Sequence, residues 1–239
     1  MTDSIVRRSG DRAQQVALMD WNSPAHWWPL ALESELADAG RKPIAVTLHS
    51  IPWALVTLDG EIAALKDLCP HRRVPLSAGV VADSAAGEVL ECGYHGWAFD
   101  RSGACAVIPA LGEGRAPRGM GGTPTISLML HEGLVWGSAD ESADRSSILR
   151  SMSSSGVLLR AQVVMQPAAD VAWLLAGEQA GPGAVLRLAH SSELTFAIRP
   201  ETEFSCVVFP IVPSESFESG MQTWVQTLAA LESAVALPL

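Results

Sequence analysis

The sequence predicts a mainly β chain in two parts, an antiparallel β domain followed by a smaller α+β domain. Three observations carry this reading. From Trp27 to Gly137, short runs of β-forming residues alternate with Gly, Pro, Asp-Gly and Glu-Gly turn signals. The next stretch, SADESADRSSILRSMSSSG at 138–156, is rich in Ser, Asp and Glu and reads as a linker. Beyond it come a strand, a helix, several strands and a long final helix. The expected divisions are an N-terminal segment at 1–20, a β domain at 21–137, the linker, and a second domain at 157–239.

Each element follows from its own residues. Trp27–Leu30 is a first strand, and Leu32–Ala39 a short helical or turn segment. Ile44–Leu48 and Trp53–Leu58 are strands joined by Ser50–Pro52, and Asp59-Gly60 turns the chain into Glu61–Leu65. Val80-Val81 and Val89–Cys92 bracket a hairpin tip at Ala82–Gly87. Ala98–Asp100 is a strand ending in the turn Arg101-Ser102-Gly103. Ala110–Thr123 holds five glycines and reads as loop. Thr125–His131 and Leu134–Gly137 form a hairpin across Glu132-Gly133. In the second part, Val157–Met165 is a strand and Pro167–Ala176 a helix with proline at its start. Val185–His190, Leu194–Arg199 and Glu203–Val212 are strands. Ser219–Ala236 is a helix carrying Trp224, Leu228, Leu231 and Val235 on one face.

Composition narrows the function classes. Hydrophobic residues make up 48% of the 239 residues and charged residues 18%, a balance that excludes a disordered chain. The net charge of −10 divides evenly, −5 up to Asp140 and −5 after it, so no basic domain points to nucleic acid. No run approaches the ~20 apolar residues of a membrane span, and MTDSIVRRSGDRAQQ lacks a secretory core. The expectation is a cytoplasmic protein. Among the four cysteines, Cys105 and Cys206 are read as buried thiols of a reducing compartment, a disulfide between them being the alternative.

The other two cysteines define the chemistry. Cys69 and His71 form a C-x-H pair, Cys92 and His95 a C-x-x-H pair, with twenty residues between His71 and Cys92. Two thiolates and two imidazoles suit a [2Fe–2S] cluster in which one iron takes both sulfurs and the other both nitrogens. Tetrahedral zinc accepts the same donors. A zinc finger keeps its Cys pair and its His pair apart, whereas here each loop supplies one of each.

The surrounding words, CPHRR, PLSAG and CGYHGWAFD, resemble the Rieske domain of the ring-hydroxylating and O-demethylating Rieske non-haem iron oxygenases. That resemblance implies a Rieske [2Fe–2S] cluster on Cys69, His71, Cys92 and His95, followed by a helix-grip catalytic domain in shortened form. It also implies that Arg72 and Tyr94 shape a docking edge, that Trp97 packs beneath the cluster, and that Gly79, Gly93 and Gly96 permit tight loops. Respiratory Rieske proteins add a cysteine to each loop and place Ser and Tyr hydroxyls after the last ligand. This chain has neither, with Trp97 and Phe99 at the hydroxyl positions. Without those hydrogen bonds to the cluster, a low potential is expected.

The second domain departs from the family. There the resemblance implies Asp-x-x-His-x4-His on a helix, with an Asp or Glu completing a facial iron site. In the register of Asp170–Leu175, those three positions carry Ala176, Gln179 and Ala184. His190 is the one histidine after the linker, and Glu178, Glu193 and Glu201 are scattered carboxylates. The resulting expectation is a cluster without its own mononuclear iron. The chain would then be the Rieske subunit of a heteromeric oxygenase. Its partners would be a catalytic subunit with an intact iron site and a ferredoxin or flavin reductase as electron donor. A stand-alone electron carrier, and a complete oxygenase with an atypical iron site on His190, are the alternatives.

Overall fold

The computed structural model describes residues 23, 25–85, 87–112, 121–151, 156–175, 185–187 and 194–235. The chain divides into two compact units. One is Leu30–Ser142; the other joins the segment ending at Pro29 to Ala143–Leu239. Most of the regular structure is antiparallel β-sheet, with a few helices.

The first unit is built from hairpins. Strands β1 (Trp28–Leu32), β9 (Ser127–His131) and β10 (Leu134–Ser138) form a sheet in the order β1-β10-β9. Strands β2 (Ile44–Leu48), β3 (Ile51–Leu58) and β4 (Glu61–Lys66) form a second sheet in sequence order. Strands β5 (Val80–Ser84), β6 (Gly87–Glu91), β7 (Ala98–Phe99) and β8 (Cys105–Val107) form the third. Three hairpins close with two-residue turns whose residues both have positive φ: His49-Ser50 (50° and 62°), Asp59-Gly60 (51° and 77°) and Glu132-Gly133 (50° and 71°). This turn matches the right-handed twist of the flanking strands. Its use at His49-Ser50 moves the bend one residue earlier than expected and puts Ile51 and Pro52 into β3.

Two further differences from the sequence reading concern hairpins. The expected tip at Ala82–Gly87 is mostly strand, because Val80–Ser84 pairs residue for residue with Gly87–Glu91. Asp59 and Glu88 fix that register from outside: the Asp59 N–H donates to Glu88 Oε2 (2.7 Å) and the Glu88 N–H to Asp59 Oδ1 (3.0 Å). Strand β8 was not expected; Cys105–Val107 folds back on β7 after the turn at Arg101-Ser102-Gly103. The helix α1 (Glu33–Ala39) begins where Glu35 Oε2 accepts the Leu32 N–H at 2.9 Å.

The second unit is a helix-on-sheet arrangement. Strands β11 (Gly156–Leu158), β12 (Gln162–Val164), β13 (Val185–Arg187), β14 (Thr195–Thr202) and β15 (Ser205–Pro213) form one antiparallel sheet. The path runs β11-β15-β14-β13, and β12 also pairs with β15. The single strand expected at Val157–Met165 is broken in two. Leu158 opposes Ile211 and Gln162 opposes Val208, so three residues face two, and Pro210 has no N–H to offer the ladder there. Helices α3 (Ala168–Leu174) and α4 (Phe217–Val235) cover one face, where Val164, Val171, Phe196, Ile198, Cys206, Val208, Trp224 and Leu231 form the core. The Ser-rich stretch at 138–156 contains a short helix, α2 (Ser146–Ser151). Among the described residues no helix is long and apolar enough to cross a membrane.

Candidate [2Fe–2S] site

The four donors stand on two loops with one backbone frame. In the first, which leaves β4, the Cys69 N–H donates to the Val74 carbonyl (2.8 Å) and the Cys69 carbonyl accepts from the Arg73 N–H (2.7 Å). In the second, which leaves β6, the Cys92 N–H donates to the Trp97 carbonyl (2.8 Å) and the Cys92 carbonyl accepts from the Gly96 N–H (3.0 Å). Each cysteine therefore opens a six-residue loop and accepts from the fourth residue on. That fourth residue is left-handed in both, φ 58° at Arg73 and 68° at Gly96. The histidines occupy different steps of the frame, the second residue after Cys69 and the third after Cys92.

The sulfurs and the imidazoles are gathered as separate pairs. Cys69 and Cys92 are buried at the edge of the apolar core of Val56, Leu65, Leu76, Leu90 and Phe99, close enough for Cys92 to act on the Cys69 thiol. The His71 and His95 rings lie 4.9 Å apart between centroids; His71 is half-buried and His95 exposed. Among the described residues no three His, Cys, Asp or Glu close around a point where one metal ion could sit. A binuclear cluster, with sulfurs at one iron and nitrogens at the other, suits this division better than one zinc does.

The electrostatics fit a group that replaces protons. Burial pushes the Cys69 thiol up, and its neighbour Cys92 pushes it further; the backbone N–H groups of His71 and Arg72 point at the sulfur and oppose both. Those two donors await a negative sulfur, which a bound metal supplies by displacing the proton. Partial desolvation lowers the His71 pKa, and the charges of His95 and Arg72 lower it further, keeping the imidazole neutral and able to bind metal.

Neighbouring segments fix the loops. Asp67, buried just before the first loop, accepts the Ser77 N–H at Oδ1 and the Ser77 hydroxyl at Oδ2, both at 2.6 Å. This ties the entrance of the loop to the turn at Leu76–Ala78 that follows it. A Cβ on Gly79 would fall on the Glu91 carbonyl, and one on Gly93 would come within 3.0 Å of the Ala78 carbonyl. The exit of the first loop is thereby pressed against the start of the second. Gly121 lies over Pro70 and Trp97, 3.8 Å from where its own Cβ would be. Trp97 packs against the core that holds Cys69 and Cys92, and its ring stacks on His71 at 4.8 Å and 9°. Tyr94, 61% exposed, lies 3.8 Å from the His95 ring.

Residues 26–126 match the family model described as the Rieske [2Fe-2S] domain. This part of the chain is a Rieske domain. The methylxanthine N3-demethylase NdmB of Pseudomonas putida is 36% identical over 126 residues, covering 51% of this chain and 35% of that protein. The oxygenase component of dicamba O-demethylase from Stenotrophomonas maltophilia is 36% identical over 111 residues, covering 46% and 30%. The chain thus matches about a third of the length of these relatives. Among solved structures, Pseudomonas putida CBB5 NdmB superposes with a TM-score of 0.65 at 20% identity, over 87% of this chain and 82% of that one, a likeness of fold.

The four donors that the sequence singles out lie within the matched residues, Cys69 beside Cys92 and His71 beside His95. The residues fit a [2Fe–2S] cluster, which when bound supplies a one-electron couple. Arg72 is exposed. Cys105 and Cys206 are free thiols. Burial and the Glu201 carboxylate push the Cys206 thiol up to about 12, Arg199 opposing them. Ala176, Gln179, Ala184, His190, Glu178 and Glu193 lie outside the described residues. The Trp97–His71 stack and the Asp67–Ser77 tie escaped the sequence reading. The word Gly-Trp after the last ligand and the Ser in PLSAG were their only traces.

Proposed function

We propose that this chain is the Rieske iron–sulfur subunit of a heteromeric non-haem iron oxygenase, with Cys69 and Cys92 on the inner iron and His71 and His95 on the outer one. The observation that carries this reading is the pairing of donors, with buried thiols on the core side and an imidazole pair open to solvent. Electrons then enter and leave at the histidine edge, while the thiolates are shielded. A ferredoxin or flavin reductase is the donor, and a catalytic subunit with an intact iron site is the acceptor. The sequence at the expected helix register, Ala176, Gln179 and Ala184, supports a chain without its own mononuclear iron. A cytoplasmic location accords with this redox chemistry.

The test is iron and acid-labile sulfide per chain, on protein purified alone and after co-expression with a neighbouring oxygenase subunit. Two irons and two sulfides, with oxygen uptake only in the co-purified complex, are expected. Three irons on the chain alone, with oxygen uptake, would overturn the accessory role and return His190 to the site.

A further inference from the structure

We propose that Tyr94 is a radical-trapping residue that gives its phenolic hydrogen to peroxyl radicals before they reach the His95 imidazole, an inference that rests on the cluster assignment above.

The four donors are unequally protected. Cys69 and Cys92 are 1% and 2% exposed, and oxidants attack sulfur where it meets solvent. His71 is half-buried, whereas His95 is exposed. The donor set is therefore open to oxidation chiefly at one ring. An imidazole oxidised to its 2-oxo form no longer offers the nitrogen lone pair that a metal needs.

Tyr94 stands against that ring. Four rings follow one another: Tyr94 lies 3.8 Å from His95, His95 4.9 Å from His71, and His71 4.8 Å from Trp97, between centroids. An oxidisable ring thus stands at each end, with the two imidazoles between. The ends differ in access. Trp97 is half-buried against the core that holds the cysteines, and Tyr94 is 61% exposed. A radical arriving from solvent meets the phenol beside His95. The chain has eight tryptophans but one tyrosine, so every tyrosine-derived product reports on this position.

The step balances as a hydrogen-atom transfer. The Tyr94 hydroxyl is the weakest bond to hydrogen in these four rings. That O–H bond breaks, an O–H bond forms on the peroxyl oxygen, and a hydroperoxide and a tyrosyl radical remain. A reductant of the ascorbate class returns one hydrogen atom and restores the phenol. Without it, two tyrosyl radicals couple through a carbon–carbon bond to dityrosine. With one tyrosine per chain, that bond joins two molecules.

The experiment exposes the full chain with its cluster to a water-soluble azo initiator, which releases peroxyl radicals in air at a steady rate. Cluster absorbance, dityrosine fluorescence and 2-oxo-histidine at His95, mapped by peptide mass spectrometry, are followed together. In the wild type, dityrosine is expected to accumulate while the absorbance holds, and ascorbate should lengthen that lag. Tyr94→Phe keeps a ring against His95 but has no O–H to give, so the lag should vanish and His95 oxidation should begin at once. Adding Phe204→Tyr to Tyr94→Phe puts a phenol at a position 66% exposed in the other unit, and the lag should stay lost. A lag retained in Tyr94→Phe, a lag restored in the double variant, or no dityrosine from the wild type would each overturn the proposal. Iron and sulfide are counted before the initiator is added. An empty wild-type chain would refute the cluster assignment itself, separately from radical trapping, because dityrosine and His95 oxidation are read on the chain with or without iron.

Discussion

Around the two cysteine loops the Leu30–Ser142 unit is held by contacts that admit one residue each, whereas the core between helix and sheet in the unit carrying Ala143–Leu239 is held by contacts that admit many. In the first, a carboxylate meets a particular serine at 2.6 Å, and a glycine leaves no room for a methyl group. In the second, Phe196 meets Trp224 at 5.7 Å inside an apolar layer between helix and sheet. Apolar layers accept other residues of similar volume, whereas hydrogen-bonded ties and zero-clearance glycines do not. The difference separates an interior that positions a chemical group from one that only excludes water.

The largest test of that contrast removes a donor. Cys69→Ser or Cys92→Ser should abolish the visible cluster spectrum and the bound iron; a retained spectrum would mean the sulfur ligands are elsewhere. Trp224→Ala should cost about 3–5 kcal/mol in denaturant unfolding, the range for a large aromatic removed from a core, while iron per folded chain stays the same. Gly79→Ala should cost about 3 kcal/mol and also lose iron, because the Glu91 carbonyl must move. A smaller volume change would then do more chemical harm than a large one.

A finer test is pH. The Cys206 thiol ionises near its ordinary value when unfolded and at about 12 when folded. Between those values the unfolded chain holds fewer protons, so stability falls as pH rises, by up to about 1.4 kcal/mol per unit, and is unaffected below about pH 9. Cys206→Ala should flatten that slope in denaturation at pH 8 and pH 10.5. The smallest expected effect is Ser77→Ala, about 1–2 kcal/mol, from leaving Asp67 with fewer donors.

The same contrast explains what could be read in advance. Residues that permit no alternative leave fixed words, so Cys69, His71, Cys92, His95 and the glycines around them were legible, and so were the hairpins at Asp59-Gly60 and Glu132-Gly133. The turn at His49-Ser50 was missed because it lacks the Gly, Asn or Asp that usually marks a two-residue hairpin turn. Strand β8 was missed because three residues carry too little periodicity. The break at Leu159–Ala161 was missed because its cause, Pro210, lies on the strand opposite. In the second unit only period and composition were available, and these give element types without identifying a site.

The close seating of Gly79 against Glu91 and of Gly93 against Ala78 bears on how fast the proposed cluster would exchange electrons. Two loops wedged together by backbone cannot breathe independently, and the stacked Trp97 denies the His71 ring room to tilt. A cage of this kind would hold the proposed ligands alike in either charge state of the cluster. The nuclear rearrangement accompanying each electron would then be small.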